Sequence, residues 1–114
     1  MNLIDLTQQA TPGEIQQMLA ALGDRIKLAV DVEREVAVGG GGLHFDCEQR
    51  LLAQGSRQEA IWGCDWFVDD QTFAPEANIN IRPRQGNRDR LIQDADTRAR
   101  VEKIVRRLLE GVQP

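Results

Sequence analysis

The chain has 114 residues, of which 41% are hydrophobic and 28% charged, and its formal net charge is −4. This length and composition fit a single globular domain over residues 1–114 and leave no room for a second sizeable core. The sequence lacks an apolar run near the roughly 20 residues of a membrane span, and its start is unlike a signal peptide. We therefore expect a cytoplasmic protein with no membrane partner.

The charge is unevenly distributed along the chain. Between Arg82 and Arg107 nine lysines and arginines accompany four carboxylates, a local net charge of +5 that leaves −9 for the remainder. An acidic protein is a poor general binder of nucleic acid, yet a polarised one can present a local basic surface to an anionic partner. Nucleic acid is thus not favoured, while a small anionic ligand, a protein partner or a homo-oligomer stay open.

The first half of the chain predicts a helix followed by two strands. Thr11 at the N-cap, with Pro at the next position and Glu14 three residues after the cap, is the pattern of a capping box, and Gly23 is a typical helix end. Alternating apolar and polar residues predict a strand over residues 26–33, and a short returning strand over 36–38.

Four consecutive glycines, Gly39 to Gly42, follow the second strand. They match no nucleotide-binding fingerprint, and we favour a plain turn over a ligand cradle. Asp46 is the expected N-cap of a short helix reaching Gln54. His44, the only histidine, lies beside it and is able to titrate or shuttle a proton, although a structural hydrogen bond is the more common role of such a residue.

Residues 60–68 alternate as a long strand whose bulky side includes Trp62 and Trp66. Their shared parity favours burial in the core over a stacking platform for bases or sugars. Residues 77–82 alternate in the same way and predict the antiparallel partner of that strand. A last helix should begin at Asp94 or Asp96, with its apolar stripe packed on the sheet and its basic residues toward solvent.

Two cysteines and one histidine limit the chemistry that the chain can perform. Cys47 and Cys64 are too few for a disulfide framework and have no metal-like spacing, so we expect reduced, buried thiols. A zinc site needs more nitrogen and sulfur ligands at recognisable spacing. We therefore predict no metal and no other cofactor.

The segment from Asn78 to Arg90 carries the strongest functional signal. Pro83 should end the strand, and a turn of Gln85, Gly86 and Asn87 follows, surrounded by arginines. Guanidinium groups bind carboxylate or phosphate in two-point contacts, and backbone N–H groups in a turn can form an anion nest. The alternative is a solvated loop whose arginines pair with the protein's own carboxylates. The predicted ligand-binding residues are Asn80, Arg82, Gln85, Gly86, Asn87 and Arg88.

Several motifs along nearly the whole chain resemble a domain-of-unknown-function family of small uncharacterised bacterial and archaeal proteins. The resemblance implies a shared site without naming a reaction. At the position of Gly42 the family pattern has an acidic residue, so the resemblance does not extend to a metal site that needs a carboxylate there. The motifs are Val30-Asp-Val-Glu33, Gly-Gly-Leu-His44, Gln-Gly-Ser56, Ile-Trp-Gly63 and Ile-Asn-Ile-Arg-Pro-Arg-Gln-Gly-Asn-Arg88.

Together these patterns predict an α+β fold, an antiparallel sheet of about four strands with the N-terminal and C-terminal helices on one face. The opposite face would carry polar residues, with ion pairs such as Glu33 with Arg82 as its structural explanation. The first functional hypothesis is a small anionic or phosphate-bearing ligand held by the arginine-rich loop and this polar face. The alternatives are a phosphoester hydrolase using His44, Asp31 or Asp46 as acid or base, and a protein-interaction module.

Overall fold

The computed structural model describes residues 2–114 as an α+β domain built on one five-stranded antiparallel sheet. The sheet order is β1-β3-β2-β4-β5, so the predicted fold class is confirmed, with one strand more than the expected four or so. The elements are β1 (Ile4–Leu6), α1 (Pro12–Leu19), β2 (Arg25–Asp31), β3 (Val36–Gly39), α2 (His44–Ala53), β4 (Ile61–Phe67), β5 (Thr72–Ala74) and α3 (Ala95–Leu109).

The first and last helices begin where the sequence predicts. The Thr11 hydroxyl accepts a hydrogen bond from the backbone N–H of Glu14, whose carboxylate accepts the N–H of Thr11, so the capping box is complete. Asp94 is the N-cap of α3 and accepts the N–H of Thr97. These side chains satisfy N–H groups that a helix leaves unpaired at its first turn.

Helices α1 and α3 pack on one face of the sheet and enclose the larger hydrophobic core. Trp66 is fully buried there and Trp62 is 7% exposed, which confirms the prediction that both belong to the core. Arg106 of α3 lies over the Trp66 ring, with its guanidinium carbon 5.2 Å from the ring centroid.

Helix α2 covers the opposite face of the sheet, where it contacts β2, β3 and β4. Its residues Cys47 and Leu51 pack with Ala29, Val38 and Ile61 in a second, smaller core. The face expected to be polar and open is therefore largely buried under this helix. Cys47 and Cys64 are both free and buried, as predicted, and burial raises the pKa of the Cys47 thiol to about 12.

The predicted strand over residues 77–82 is wrong. Its place beside β4 is taken by β5, and residues 78–80 and 83–85 form two short 3-10 turns instead. Ala77 and Ile79 of this segment pack directly against Gly63 of β4, which has no side chain. A Cβ at position 63 would lie 2.5 Å from Cβ of Ala77 and 2.8 Å from Cγ1 of Ile79. Ala77 and Ile79 therefore lie over Gly63, and the segment makes no strand pairing with β4.

The structure explains why most positions of the run Gly39 to Gly42 are glycine. A Cβ on Gly39 would lie 2.8 Å from the Met18 sulfur, and one on Gly40 would meet the carbonyl oxygen of Asn2. Gly40 and Gly41 also adopt φ values of 107° and 70°, which strain other residues. A close approach of backbone and a turn of the chain account for three of the four glycines.

Candidate functional site

The Arg82 side chain is only 10% exposed, and each nitrogen of its guanidinium donates to another residue of the protein. Nη2 donates to Glu48 Oε2 at 3.0 Å, Nε to the Ile79 carbonyl at 2.9 Å and Nη1 to the Gln58 carbonyl at 2.7 Å. The group also lies over the Trp62 ring, 5.1 Å from its centroid. Burial lowers the pKa of Arg82, although Glu48 opposes that shift. These contacts explain Arg82 without a ligand.

The expected ion pair between Glu33 and Arg82 is wrong, because each residue has a different partner. Glu33 accepts from Arg57 at 3.0 Å in a pair that is largely exposed. Arg82 pairs with Glu48, whose side chain is only 6% exposed. The Arg82–Glu48 pair therefore joins α2 to the 78–85 segment across a buried contact.

The side chain of Asn80 makes the hydrogen bonds with β4 that the backbone of a neighbouring strand would otherwise make. Its side-chain oxygen accepts the N–H of Gly63 at 2.7 Å, and its side-chain nitrogen donates to the Gly63 carbonyl at 2.9 Å. The same nitrogen donates to the Arg90 carbonyl at 2.9 Å. One buried amide thus satisfies both backbone groups of β4 at this point and holds the segment around Arg90.

Asn87 is the second buried amide of the motif and organises the loop from inside. Its side-chain nitrogen lies 2.9 Å from the carbonyls of Asn80, Asp89 and Leu91, and its oxygen accepts the N–H of Gln93. Both polar atoms are occupied by backbone groups of the same loop. The roles of Asn80 and Asn87 as ligand contacts stay predictions, whereas their structural roles are clear.

The turn after Pro83 has the predicted backbone geometry, with Gly86 at a φ of 80°. Gln85 is anchored by donating to the Glu59 carbonyl at 3.1 Å. Arg88 is different, because its side chain makes no hydrogen bond or ion pair with residues 2–114. Its backbone N–H, in contrast, donates to Gln93.

A cavity of about 430 Å³ lies against this turn and is acidic. Glu33, Glu59 and Asp94 line it. Its one lining cation is Arg100, which donates to the Val32 carbonyl at 3.0 Å. An anion entering here would meet more negative than positive charge, so this side of the turn is unfavourable for phosphate or carboxylate.

His44 forms a defined hydrogen-bonded pair with Asp65. As the first residue of α2, it places Nε2 at 2.7 Å from Asp65 Oδ1 and 3.0 Å from the Cys64 carbonyl. Both partners accept, so Nε2 carries a proton and donates it to them. Within residues 2–114 Nδ1 has no hydrogen-bond partner. The sequence indicates Asp65 only through its parity in β4; pairing with a histidine about twenty positions away is a tertiary contact.

A small cavity of about 150 Å³ joins the His44 region to the end of the arginine-rich segment. Three groups able to carry positive charge line it from distant parts of the chain: Lys27 of β2, His44 of α2 and Arg90. Arg90 donates to Asn78 Oδ1 at 2.9 Å, which orients its guanidinium at the wall. The arginine that shares a cavity with His44 is thus Arg90, which the site prediction did not include.

The walls of this cavity also include apolar side chains and the start of a helix. Leu43, Phe45 and Ile79 complete the lining. Leu43 is the N-cap of α2 and gives no side-chain cap, so the expected N-cap role of Asp46 is wrong. The backbone N–H groups of His44 and Phe45 consequently have no partner among the described residues, which suits a nearby anion.

Asp31 and Asp46 lie apart from this cavity's lining. Asp31 is fully buried, and its Oδ1 accepts the N–H groups of Glu33 and Arg34 at 2.9 and 3.0 Å, which fixes the turn between β2 and β3. Asp46 lies in the first turn of α2. Of the three residues predicted as acid or base, His44 is the one that lines the cavity with Arg90.

Among residues 2–114, no group of three or more His, Cys, Asp or Glu side chains is arranged to hold a metal ion. In the same part of the chain no helix has both the length and the apolar character needed to cross a membrane.

The fold and this site define a small α+β domain with a compact cationic cavity beside a His–Asp pair. Residues 4–108 match the model of a family described as "Protein of unknown function (DUF5674)", and the chain belongs to that family. The resemblance to a domain-of-unknown-function family is thereby confirmed. Comparison with curated proteins and with solved structures gave no match.

Proposed function

We propose that this protein binds a small anionic ligand, a phosphate or carboxylate group, in the cavity between the start of α2 and the 78–90 segment. The observation that carries the proposal is the convergence of Lys27, His44 and Arg90 on one cavity. No carboxylate belongs to the lining of that cavity, and the nearest ones to its cations are Asp65, 2.7 Å from His44, and Glu76, 4.0 Å from Arg90. This feature separates it from the acidic cavity on the other side of the Gln85–Asn87 turn.

The geometry favours an anion of limited size. The cavity has a volume of about 150 Å³, much less than the 430 Å³ of the acidic cavity. That space accepts one phosphate or carboxylate group but leaves little room for a ring system. The unpaired N–H groups at the start of α2 add donors and a favourable helix dipole.

The residues predicted from the arginine-rich motif support this site in two ways. Asn80 holds the Arg90 carbonyl, and the Arg82–Glu48 pair fixes the segment against α2, so both position the cavity wall. Arg88 is exposed and unpaired within residues 2–114, and its charge raises the positive potential of the loop. Such charges attract an anion over a distance without contacting it.

A hydrolase is the second candidate, and the His44–Asp65 hydrogen bond of 2.7 Å favours it. A carboxylate that holds one imidazole nitrogen leaves the other as a base able to take a proton from water. Arg90 and Lys27 would then stabilise the negative charge of a phosphoester. Water would attack the phosphorus directly, because this mechanism needs no nucleophilic side chain.

A cytoplasmic location agrees with the two free, buried thiols, because reduced cysteines are the rule in that compartment. A protein partner or a second copy of the chain would be compatible with the same site.

Binding is tested by the melting temperature in inorganic phosphate, with sodium chloride at matched ionic strength as reference. A ligand that binds only the native state raises this temperature by mass action. We expect the rise to vanish in Arg90→Gln and to persist in Arg88→Gln, a control two residues away on the same loop. Loss in Arg88→Gln with retention in Arg90→Gln would move the site to the exposed loop, and no rise in the parent would overturn the proposal.

The hydrolase candidate requires a separate measurement with an aryl phosphodiester substrate. Turnover should fall in both His44→Gln and Asp65→Asn, whereas phosphate binding should persist in Asp65→Asn, because Asp65 is not part of the cavity lining. Turnover that is absent in the parent, or unchanged in both variants, would leave binding as the function.

A further inference from the structure

Exposed apolar side chains are concentrated on the two segments that wall the cationic cavity. Leu43, the N-cap residue of α2, is 57% exposed. Phe45, in the first turn of the same helix, is 56% exposed. Ile81 and Leu91, at 47% and 37%, lie on the segment that contributes Ile79 and Arg90 to the opposite wall. No other large hydrophobic side chain in residues 2–114 is exposed to this degree. Clustered apolar exposure beside a polar site indicates contact with a ligand or partner.

We propose that the anion bound here is the phosphate of a phosphomonoester that carries an aromatic ring, namely a nucleoside monophosphate. This inference rests on the proposed function and specifies its ligand. The phosphate occupies the cavity beside Arg90 and Lys27, and the base stacks on the exposed ring of Phe45.

Size divides the ligand between these two places. The cavity has a volume of about 150 Å³, so we place the phosphate in it and the base and sugar over its rim. The rim is apolar at Leu43 and Phe45, and it therefore offers little hydrogen bonding to a bare sugar. A planar base, in contrast, covers apolar area and uses the aromatic face.

The position of Phe45 in α2 makes this division geometrically direct. Phe45 follows His44 in α2, and both residues line the same cavity, so a ligand in it can contact both side chains. Asn78 orients Arg90 through its side-chain oxygen, and its amide nitrogen donates to no other group of residues 2–114, so it can donate to a ribose hydroxyl or phosphate oxygen. The site thus provides charge, one polar donor and one stacking surface.

The experiment compares the affinities of adenosine 5′-monophosphate, ribose 5-phosphate, hexyl phosphate and adenosine by isothermal titration calorimetry. Stacking on an aromatic side chain corresponds to about 10-fold in affinity, so the nucleotide should bind about 10-fold more tightly than ribose 5-phosphate or hexyl phosphate. Adenosine should show no binding. Phe45→Ala and Phe45→Leu should both remove the nucleotide's advantage over ribose 5-phosphate, because neither variant keeps an aromatic face for the base.

The outcomes separate this inference from the proposal beneath it. Equal affinity for nucleotide and ribose 5-phosphate would overturn the aromatic ligand while leaving the phosphate site intact. Hexyl phosphate binding as tightly as the nucleotide, or an advantage retained in Phe45→Leu, would show that apolar area and not stacking is recognised. Absence of binding by every phosphate would overturn the proposed function itself.

Discussion

Replacing the two partners of the Arg82–Glu48 pair, singly and together, tests whether Arg82 is a structural residue or a free ligand contact. The variants are Arg82→Met, Glu48→Leu and the double variant. In the parent protein the side chains of Arg82 and Glu48 are 10% and 6% exposed, and Nη2 of Arg82 lies 3.0 Å from Oε2 of Glu48. Each single change therefore leaves a buried charge without its partner.

The expected magnitudes follow from that burial. Removing one partner of a buried pair costs about 3–5 kcal/mol, so two independent losses would total about 6–10 kcal/mol. The double variant has no unpaired charge and loses chiefly the donor to the part-buried Ile79 carbonyl, a cost of about 1–3 kcal/mol. We therefore expect the double variant to be more stable than either single variant.

Urea unfolding followed by tryptophan fluorescence measures these free energies, because Trp62 and Trp66 are both buried. Arg57→Met is the control, since its pair with Glu33 is 66% and 50% exposed and should contribute no more than about 1 kcal/mol. Losses that add within about 0.5 kcal/mol, or single losses as small as the control's, would refute the reasoning. Arg82 would then be available to a ligand in solution.

Three further predictions concern stability. Gly63→Ala should destabilise the fold by about 1–3 kcal/mol through overpacking, whereas Gly42→Ala, with nothing within 4 Å of the added carbon, should be neutral in the same urea titration. Trp66→Ala should cost about 3–5 kcal/mol, and an unchanged melting temperature would contradict its place in the core. Hydrogen bonding to Arg50 holds the pKa of Asp5 below its ordinary value, so this carboxyl stabilises the fold above its unfolded pKa. That contribution is lost as the pH falls through the folded pKa, and Asp5→Asn should remove this part of the acid sensitivity.

Local patterns in the sequence determined the elements whose causes are also local. The capping box at Thr11 and Glu14, the N-cap at Asp94 and the alternation in β2 and β4 each depend on residues a few positions apart. Such features form in the same way in many folds, and the predicted α+β class followed from them. The burial of both tryptophans was predictable for the same reason, since parity within one strand determines which side chains share a face.

Tertiary structure decided how the 77–82 segment is used. Its alternation is typical of a strand, but Asn80 bonds both backbone groups of Gly63 through its side chain, and Ala77 and Ile79 pack against Gly63. Of the alternating polar residues, Asn80 is a buried amide and Arg82 has a side chain that is only 10% exposed, whereas Asn78 is exposed. Alternation with a period of two shows that the two faces of a segment differ in polarity. It does not show which part of the chain covers either face.

Tertiary packing also determined which residues form the candidate site. The sequence singled out His44 and the arginine-rich segment as separate signals, and the fold brings them together through Arg90, with Lys27 of β2 completing the cavity. It also gives His44 its partner Asp65. Residue types and local spacing determine which chemistry a chain can offer. Only the packing of α2 against the sheet determines which arginine shares a cavity with the histidine, because that contact joins residues more than forty positions apart.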